Sequence, residues 1–267
     1  MEDFTLITSS DNDRIKLYKR LAADKKARKK EGLFTVEGAR LVSDAASEAA
    51  QLCCVFFTKD AFEKYGDTME LLTNTFDRKI FFMITEELAK SLSQTQVSQG
   101  IFALCRMKAL DKSEVYDKIK HGGRYLILDN IQDPGNLGTM LRTADACGID
   151  AVVVCNCCDI YNPKTVRSAM GSIMRVSFVC DSFEEAVLRF KAAGITVYAS
   201  VIDSDALSLS CADFSGGAAV IIGNEGSGIP PEHVLMADER LTIRMHGTIN
   251  SLNAAMAAGI IMWELVK

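Results

Sequence analysis

The C-terminal half of the chain carries a series of short, almost uninterrupted apolar runs, YLILD, AVVVC, VSFV, TVYAS, AVIIG and LTI, beginning at Tyr125. A strand with one wet face alternates apolar and polar residues; these runs do not, so both of their faces must be covered. Helical patterns separate most of them, and strands joined by crossover helices form a parallel sheet with helices on both sides. The fold class is therefore α/β, and in such sheets ligands bind beyond the carboxyl ends of the strands. With 48% apolar residues in 267, there is material for a substantial core, and the length points to two domains.

Between residue 11 and about 106 the elements are shorter and alternate in kind. The patterns predict a helix over 11–30, strand LFTVEG, a helix from Ala39 to Ala49, strand LCCVFF, a helix over 60–73, strand KIFFMI, helix TEELAKSL and strand GIFALC. This alternation makes a small α/β domain. The stretch MKALDKSEVYDKIKHGG is polar and charged and ends in two glycines, so the boundary falls there. The expected division is a domain over 1–107, a linker over 108–123 and a second domain over 124–267, without internal repeats.

A net charge of −5 argues against a polyanionic partner until its distribution is considered. Nine basic residues (Arg14, Lys16, Lys19, Arg20, Lys25, Lys26, Arg28, Lys29 and Lys30) and one acid, Asp24, lie between positions 14 and 30, so this segment carries +8 and the remainder −13. Clustered charge of this kind attracts a phosphate backbone. A solvated helix face fits the same residues, because Ile15, Tyr18, Leu21 and Ala22 recur at helical spacing and would dock while the lysines face water. The N-terminus, MEDFTLITSSDND, is acidic and polar, and no run of 18 apolar residues occurs, so a cytoplasmic location is expected. Nine cysteines, an odd number, read as reduced thiols. The C-x-x-C match from Cys155 to Cys158 closes a strand and has no second pair or spaced histidines beside it, so no metal is expected.

Three strand-to-loop passages hold the candidate chemistry. In LDNIQDPGNLGTMLRTADACGID, Pro134 and Gly135 stop the strand, and Asn136 is the expected cap of a helix running to about Ala146. Leu137, Met140, Leu141 and Ala144 then form one apolar stripe, and Arg142 lies nearly opposite it. The passage lacks the G-x-G-x-x-G of a dinucleotide fold; an ordinary capped helix with a surface arginine fits it equally well. After AVIIG comes Gly223-Asn224-Glu225-Gly226-Ser227-Gly228-Ile229-Pro230, either a flexible turn or a site where backbone approaches a ligand closely. Its place at a strand's carboxyl end favours a site. After LTI comes Arg244-Met245-His246-Gly247-Thr248-Ile249-Asn250-Ser251-Leu252-Asn253, with Ser251 or Asn250 the expected cap of an alanine-rich C-terminal helix.

In this order the segments resemble one family. Asn136-x-Gly138-x-x-x-Arg142-x-Ala144, Gly223-Asn224-Glu225-Gly226-x-Gly228-Ile229-Pro230 and Ser251-Leu252-Asn253-Ala254-Ala255-x-Ala257-Ala258-Gly259 are similar to the three motifs of the SpoU (TrmH) RNA 2'-O-ribose methyltransferases of the SPOUT superfamily. Residues 164–171, KTVRSAMG, resemble a further family stretch, and the likeness spans about 124–267. Residues 8–42, with SSDNDRIK and FTVEGARLV, resemble the N-terminal substrate-binding domain of the ribosomal-RNA members.

The resemblance implies a trefoil-knotted parallel sheet, S-adenosylmethionine as cofactor, a homodimer and no metal. It implies Arg142 as the central catalytic residue, with Asn136, Glu225, Ser251 and Asn253 ordering the site. Cofactor contacts fall on Gly223, Ile243, Met245, Ser251, Leu252 and Asn253, with Ser200 as a neighbour. RNA contacts fall on Arg14, Lys16, Lys25, Lys26, Arg28, Lys29, Lys30, Arg142, Lys164 and Arg167. The implied reaction is in-line attack by a ribose 2'-oxygen on a sulfonium methyl, which rewards alignment. Arginine is a poor base, with a pKa above about 12, so Arg142 is better suited to grip the flanking phosphate, which can itself receive the proton. Arg244 stands where members commonly have proline, and Asn250 where an acid is frequent. Ribosomal RNA is the expected substrate; transfer RNA methylation, or a non-catalytic RNA-binding assembly protein of the same fold, are the alternatives. A nicotinamide oxidoreductase is disfavoured by the absent glycine fingerprint.

Overall fold

The computed structural model describes residues 4–47, 52–108 and 111–267. The chain forms two compact units, one of Met1–Lys108 with Tyr161–Met174, the other of Ala109–Ile160 with Arg175–Lys267.

The first unit runs β1 (Thr5–Ile7), α1 (Asp13–Ala23), α2 (Lys25–Glu31), β2 (Leu33–Glu37), α3 (Ala39–Ser47), β3 (Leu52–Phe57), α4 (Lys59–Lys64), α5 (Gly66–Thr75), β4 (Phe81–Ile84), α6 (Glu86–Leu92) and β5 (Ile101–Arg106). Its sheet has the order β1-β4-β3-β5-β2, with β5 antiparallel to both neighbours and the other pairings parallel. The single helix expected over 11–30 is two. Asp24 is extended (φ −119°, ψ 116°), and its side chain accepts from the Lys26 amide to start α2. Ile15, Tyr18 and Leu21 are buried as their spacing predicts, Tyr18 meeting Phe56 and Phe102 edge-on at 6.0 and 5.7 Å. The helix expected over 60–73 is likewise divided, at Tyr65, where the following Gly66 weakens helix continuation. The expected end of α3 at Ala49 lies outside the described residues.

Arg28 is a correction to the expected RNA-facing set. It is 2% exposed, and its guanidinium donates to the Leu21 and Ala22 carbonyls at 2.5 and 3.3 Å. Those carbonyls end α1 and have no helical partners of their own, so the charge is spent on closing the helix. Lys25, Lys26, Lys29 and Lys30 remain exposed.

The second unit comprises α7 (Lys112–Tyr116), β6 (Arg124–Asp129), α8 (Pro134–Cys147), β7 (Ala151–Cys155), then β8 (Phe178–Cys180), α11 (Phe183–Ala192), β9 (Thr196–Ser200), β10 (Leu207–Ser208), β11 (Ala218–Ile222), α12 (Pro231–Val234), β12 (Glu239–Thr242) and α13 (Ala254–Val266). Between β7 and β8 lie α9 (Pro163–Ala169) and α10 (Ser172–Arg175). All seven strands are parallel, in the order β10-β12-β9-β11-β6-β7-β8. Every residue of β7 and β11 is buried, as uninterrupted apolar runs require.

Residues 161–174, expected in the C-terminal domain, cluster with the first unit instead. There α9 packs on β2, and Tyr161 lies against Phe34 with ring centroids 4.8 Å apart. Buried Pro163, Thr165, Val166 and Ala169 supply the contact face.

Both expected helix caps move by a few residues. Asp133, not Asn136, caps α8: its Oδ1 accepts from the Asn136 amide at 2.9 Å, and Pro134 sits in the first turn where a missing N–H costs nothing. Asn253, not Asn250 or Ser251, caps α13, accepting from the Ala255 and Met256 amides at 2.9 and 3.2 Å. Replacing a capping Asp by Ala costs about 1 kcal/mol. Asp133→Ala is therefore expected to lower stability by about that amount, read as a reduced urea midpoint with an unchanged slope.

Candidate active site

The pairing of β11 with β6 places Ile222 beside Leu128, so the loops that leave these two strands start side by side. Residues 130–133 and 223–230 then interlock through polar groups. The Asn224 side-chain amide donates to the Asn130 carbonyl at 2.9 Å, and Asn130 holds a left-handed backbone, φ 58°. Glu225 accepts from the Gln132 amide at 3.1 Å, the Asp133 amide at 3.0 Å and Asn136 Nδ2 at 3.0 Å. Partial burial works to raise the Glu225 pKa, but these three donors outweigh it and hold the carboxyl below its ordinary range.

The network continues into the third segment. Asn253 Nδ2 donates to Asn136 Oδ1 at 3.1 Å, while Asn253 Oδ1 caps α13. Asn136 is free for this work because Asp133 has taken over the cap. Asn136, Glu225 and Asn253, drawn from three distant stretches of sequence, thus form one continuous hydrogen-bonded chain.

Beside it opens a cavity of 390 Å³ at the carboxyl ends of β9, β11 and β12. Ser200, Gly223, Ile243, Met245, Ser251 and Leu252, the residues on which the resemblance implies cofactor contacts, line it. Asn253 does not; it faces Asn136 instead. Ile202, Leu241, Ala254, Ala257 and Ile261 also line the cavity; the small residues of α13 were the only sequence signal for any of these. The Ser200 hydroxyl donates to the Ile221 carbonyl at 2.7 Å. Gly223 has no room for a side chain: a Cβ would lie 2.5 Å from the Gly228 carbonyl carbon and 2.6 Å from the Ile229 nitrogen.

Arg142 stands apart from this chain of contacts. Six residues beyond Asn136 on α8, and so about 9 Å along its axis, it is exposed and makes no hydrogen bond or ion pair among the described residues. In the first unit, Lys16 pairs with Asp11 at 3.0 Å and Arg14 lies over the Phe82 ring at 4.5 Å. Lys164 is exposed, and Arg167 is half-buried with its Nη1 lacking a hydrogen-bond partner. Burial raises the Cys157 thiol to about 12. Its Sγ–H therefore serves the Leu128 and Cys155 carbonyls at 3.2 and 3.3 Å while the sulfur accepts from the Ile131 amide at 3.2 Å, bracing the loop after β6.

A parallel sheet with a cavity at the carboxyl ends of its strands, and a fixed polar chain beside it, has the arrangement of an α/β ligand-binding domain. Residues 123–263 match the SpoU rRNA Methylase family and residues 12–103 the MRM3-like substrate binding domain. The chain belongs to the SpoU rRNA Methylase family. It is 33% identical over 260 residues to the 23S rRNA (guanosine(2553)-2'-O)-methyltransferase RlmP of Bacillus subtilis, covering 97% of this chain and 98% of the relative. It is 26% identical to the 23S rRNA (uridine(2479)-2'-O)-methyltransferase of Streptomyces viridochromogenes, covering 97% and 91%. The solved AdoMet-bound rRNA methyltransferase from Sinorhizobium meliloti superposes with a TM-score of 0.85 at 25% identity, covering 98% of this chain and 97% of that one.

A carboxylate whose pKa is lowered on folding stabilises the protein above its ordinary value, here 4.5, and loses that contribution as pH falls through the lowered one. The stability advantage of the native chain over Glu225→Gln is expected to be constant between about pH 7 and 5 and to shrink below that range. Parallel urea unfolding series across pH measure it.

Proposed function

We propose that this chain methylates a ribose 2'-hydroxyl of ribosomal RNA, with S-adenosylmethionine as methyl donor. The observation that carries the reading is the Glu225–Asn136–Asn253 chain beside a cavity that Gly223 and Leu252 line. The cavity volume, 390 Å³, falls in the range of small-molecule sites, and its apolar lining by Ile243, Met245 and Leu252 suits a flat adenosyl group. When bound, the cofactor supplies an activated methyl on sulfonium. The protein's part is alignment: Asn136 and Asn253, with both amides oriented, present fixed dipoles to the incoming ribose. Arg142, exposed and without a partner among the described residues, grips a flanking phosphate in this reading.

The two ribosomal relatives act on a guanosine and on a uridine, so the proposal is framed for the ribose. The exposed lysines of α2 supply salt-sensitive backbone contacts. The trefoil knot and the cytoplasmic, homodimeric state belong to the same proposal. A dimer is supported by Met256, Ile260 and Trp263, exposed by 60, 40 and 68% on one stripe of α13.

Calorimetric titration with S-adenosylmethionine tests the cofactor reading. Saturable binding is expected, lost in Gly223→Val and weakened in Ala257→Leu, which fills the cavity without disturbing the loop backbone; no binding by folded protein would refute it. Arg142→Lys is expected to lower methyl transfer to ribosomal RNA by about 10- to 100-fold, the size of a lost charge-assisted contact. The combined Lys25, Lys26, Lys29 and Lys30 to Ala variant is expected to weaken RNA binding and to flatten its dependence on salt, measured by binding titrations between low and high salt.

A further inference from the structure

The Gly223–Pro230 loop is attached to β6 at more places than the motif residues provide. At its start, Ile222 pairs with Leu128 in the sheet. At its end, where the chain enters α12, His233 Nδ1 lies 2.6 Å from Oδ2 of Asp129, the next residue of β6. Asp129 is 3% exposed. A carboxylate only accepts, so Nδ1 carries the proton and donates. The imidazole lies flat on the Phe183 ring, with centroids 3.7 Å apart and planes within 6°, and Phe183 belongs to the buried core. Among the described residues, the other charged group within 4 Å of the imidazole is Glu184, whose Oε1 is 4.0 Å from Nε2, beyond hydrogen-bond reach.

We infer that the Asp129–His233 pair is a positioning device for the catalytic centre, fixing the far end of the loop so that Glu225 meets Gln132, Asp133 and Asn136 in register. The geometry is that of a staple. Consecutive β6 residues, Leu128 and Asp129, hold the two ends of the loop, and the Asn224 and Glu225 contacts fall between them. Stacking on Phe183 removes the ring's freedom to turn away, so the hydrogen bond sets the loop's position as well as holding it. His233 itself does not line the cavity. The inference rests on the methyltransferase reading for its catalytic consequence and on geometry alone for its structural one.

His233→Phe keeps the stacked ring and removes the bond; His233→Asn places an amide nitrogen near the Nδ1 position, whereas His233→Gln places one near Nε2. For methyl transfer to ribosomal RNA, His233→Phe and His233→Gln are expected to lower kcat about tenfold with KM for S-adenosylmethionine changed less than threefold, and His233→Asn to recover most of the loss. Amide hydrogen exchange on the protein without ligand gives a readout independent of activity: exchange at Gln132 and Asp133 should rise in His233→Phe at least tenfold more than exchange at core amides of β7 and β11, which report the global loss from leaving the buried Asp129 carboxylate without this donor. Unchanged exchange at these two amides, or a kcat loss that His233→Asn does not relieve, would overturn the inference. Accelerated exchange in a chain with no methyl transfer would refute the proposed function and leave the staple standing.

Discussion

The candidate site is organised by a simple asymmetry: a carboxylate can only accept hydrogen bonds. Glu225 therefore turns the Asn136 amide so that its nitrogen faces the carboxylate, leaving Oδ1 to face Asn253. That in turn requires Asn253 to offer its nitrogen, so its oxygen must point into the first turn of α13, where two amides await it. One acceptor-only group thus fixes the orientation of two amides and the start of a helix. The first-turn amides of α13, which can only donate, fix the other end of the chain in the same sense, so the direction is set from both sides.

The carboxylate can do this only because of how the sheet is assembled. β11 enters between β9 and β6, and β12 between β9 and β10. The chain returns twice to the middle of a sheet it has already built. These late insertions bring the second and third segments beside the first, although nearly a hundred residues separate Asn136 from Glu225. A sheet laid down in simple sequence order would have placed the three loops apart.

Much of this was legible in the residues. Uninterrupted apolar runs reported the doubly covered parallel sheet, and the helical spacing of Ile15, Tyr18 and Leu21 reported the docked face of α1. The resemblance brought Gly223, Leu252 and their neighbours to one cavity. What escaped was decided by competition between similar residues. Asp133 and Asn136 are both good caps, and the proline between them settled the matter in favour of Asp133; Asn250, Ser251 and Asn253 presented the same ambiguity. Arg28 shares its positive charge with the lysines around it, so charge did not set it apart, and the turn at Asp24 points it inward. The Gln132 and Asp133 donors to Glu225 are backbone groups and leave no mark on residue type. The pairing of Asp129 with His233 joins positions too distant for spacing to suggest.

The bend at Asp24, closed by Arg28, has a kinetic meaning. A long, straight, lysine-rich helix held by its own propensity alone would fray, and its charges would be ordered only when something bound them. Here the buried guanidinium ties α2 to the last turn of α1, so the exposed lysines are displayed on a framework already in place. For a polyanion the entropy of arranging that charge has been settled during folding. Were a polyanion bound here, each lysine's own side chain is what would remain to be ordered, and the field of the display would be in place before contact.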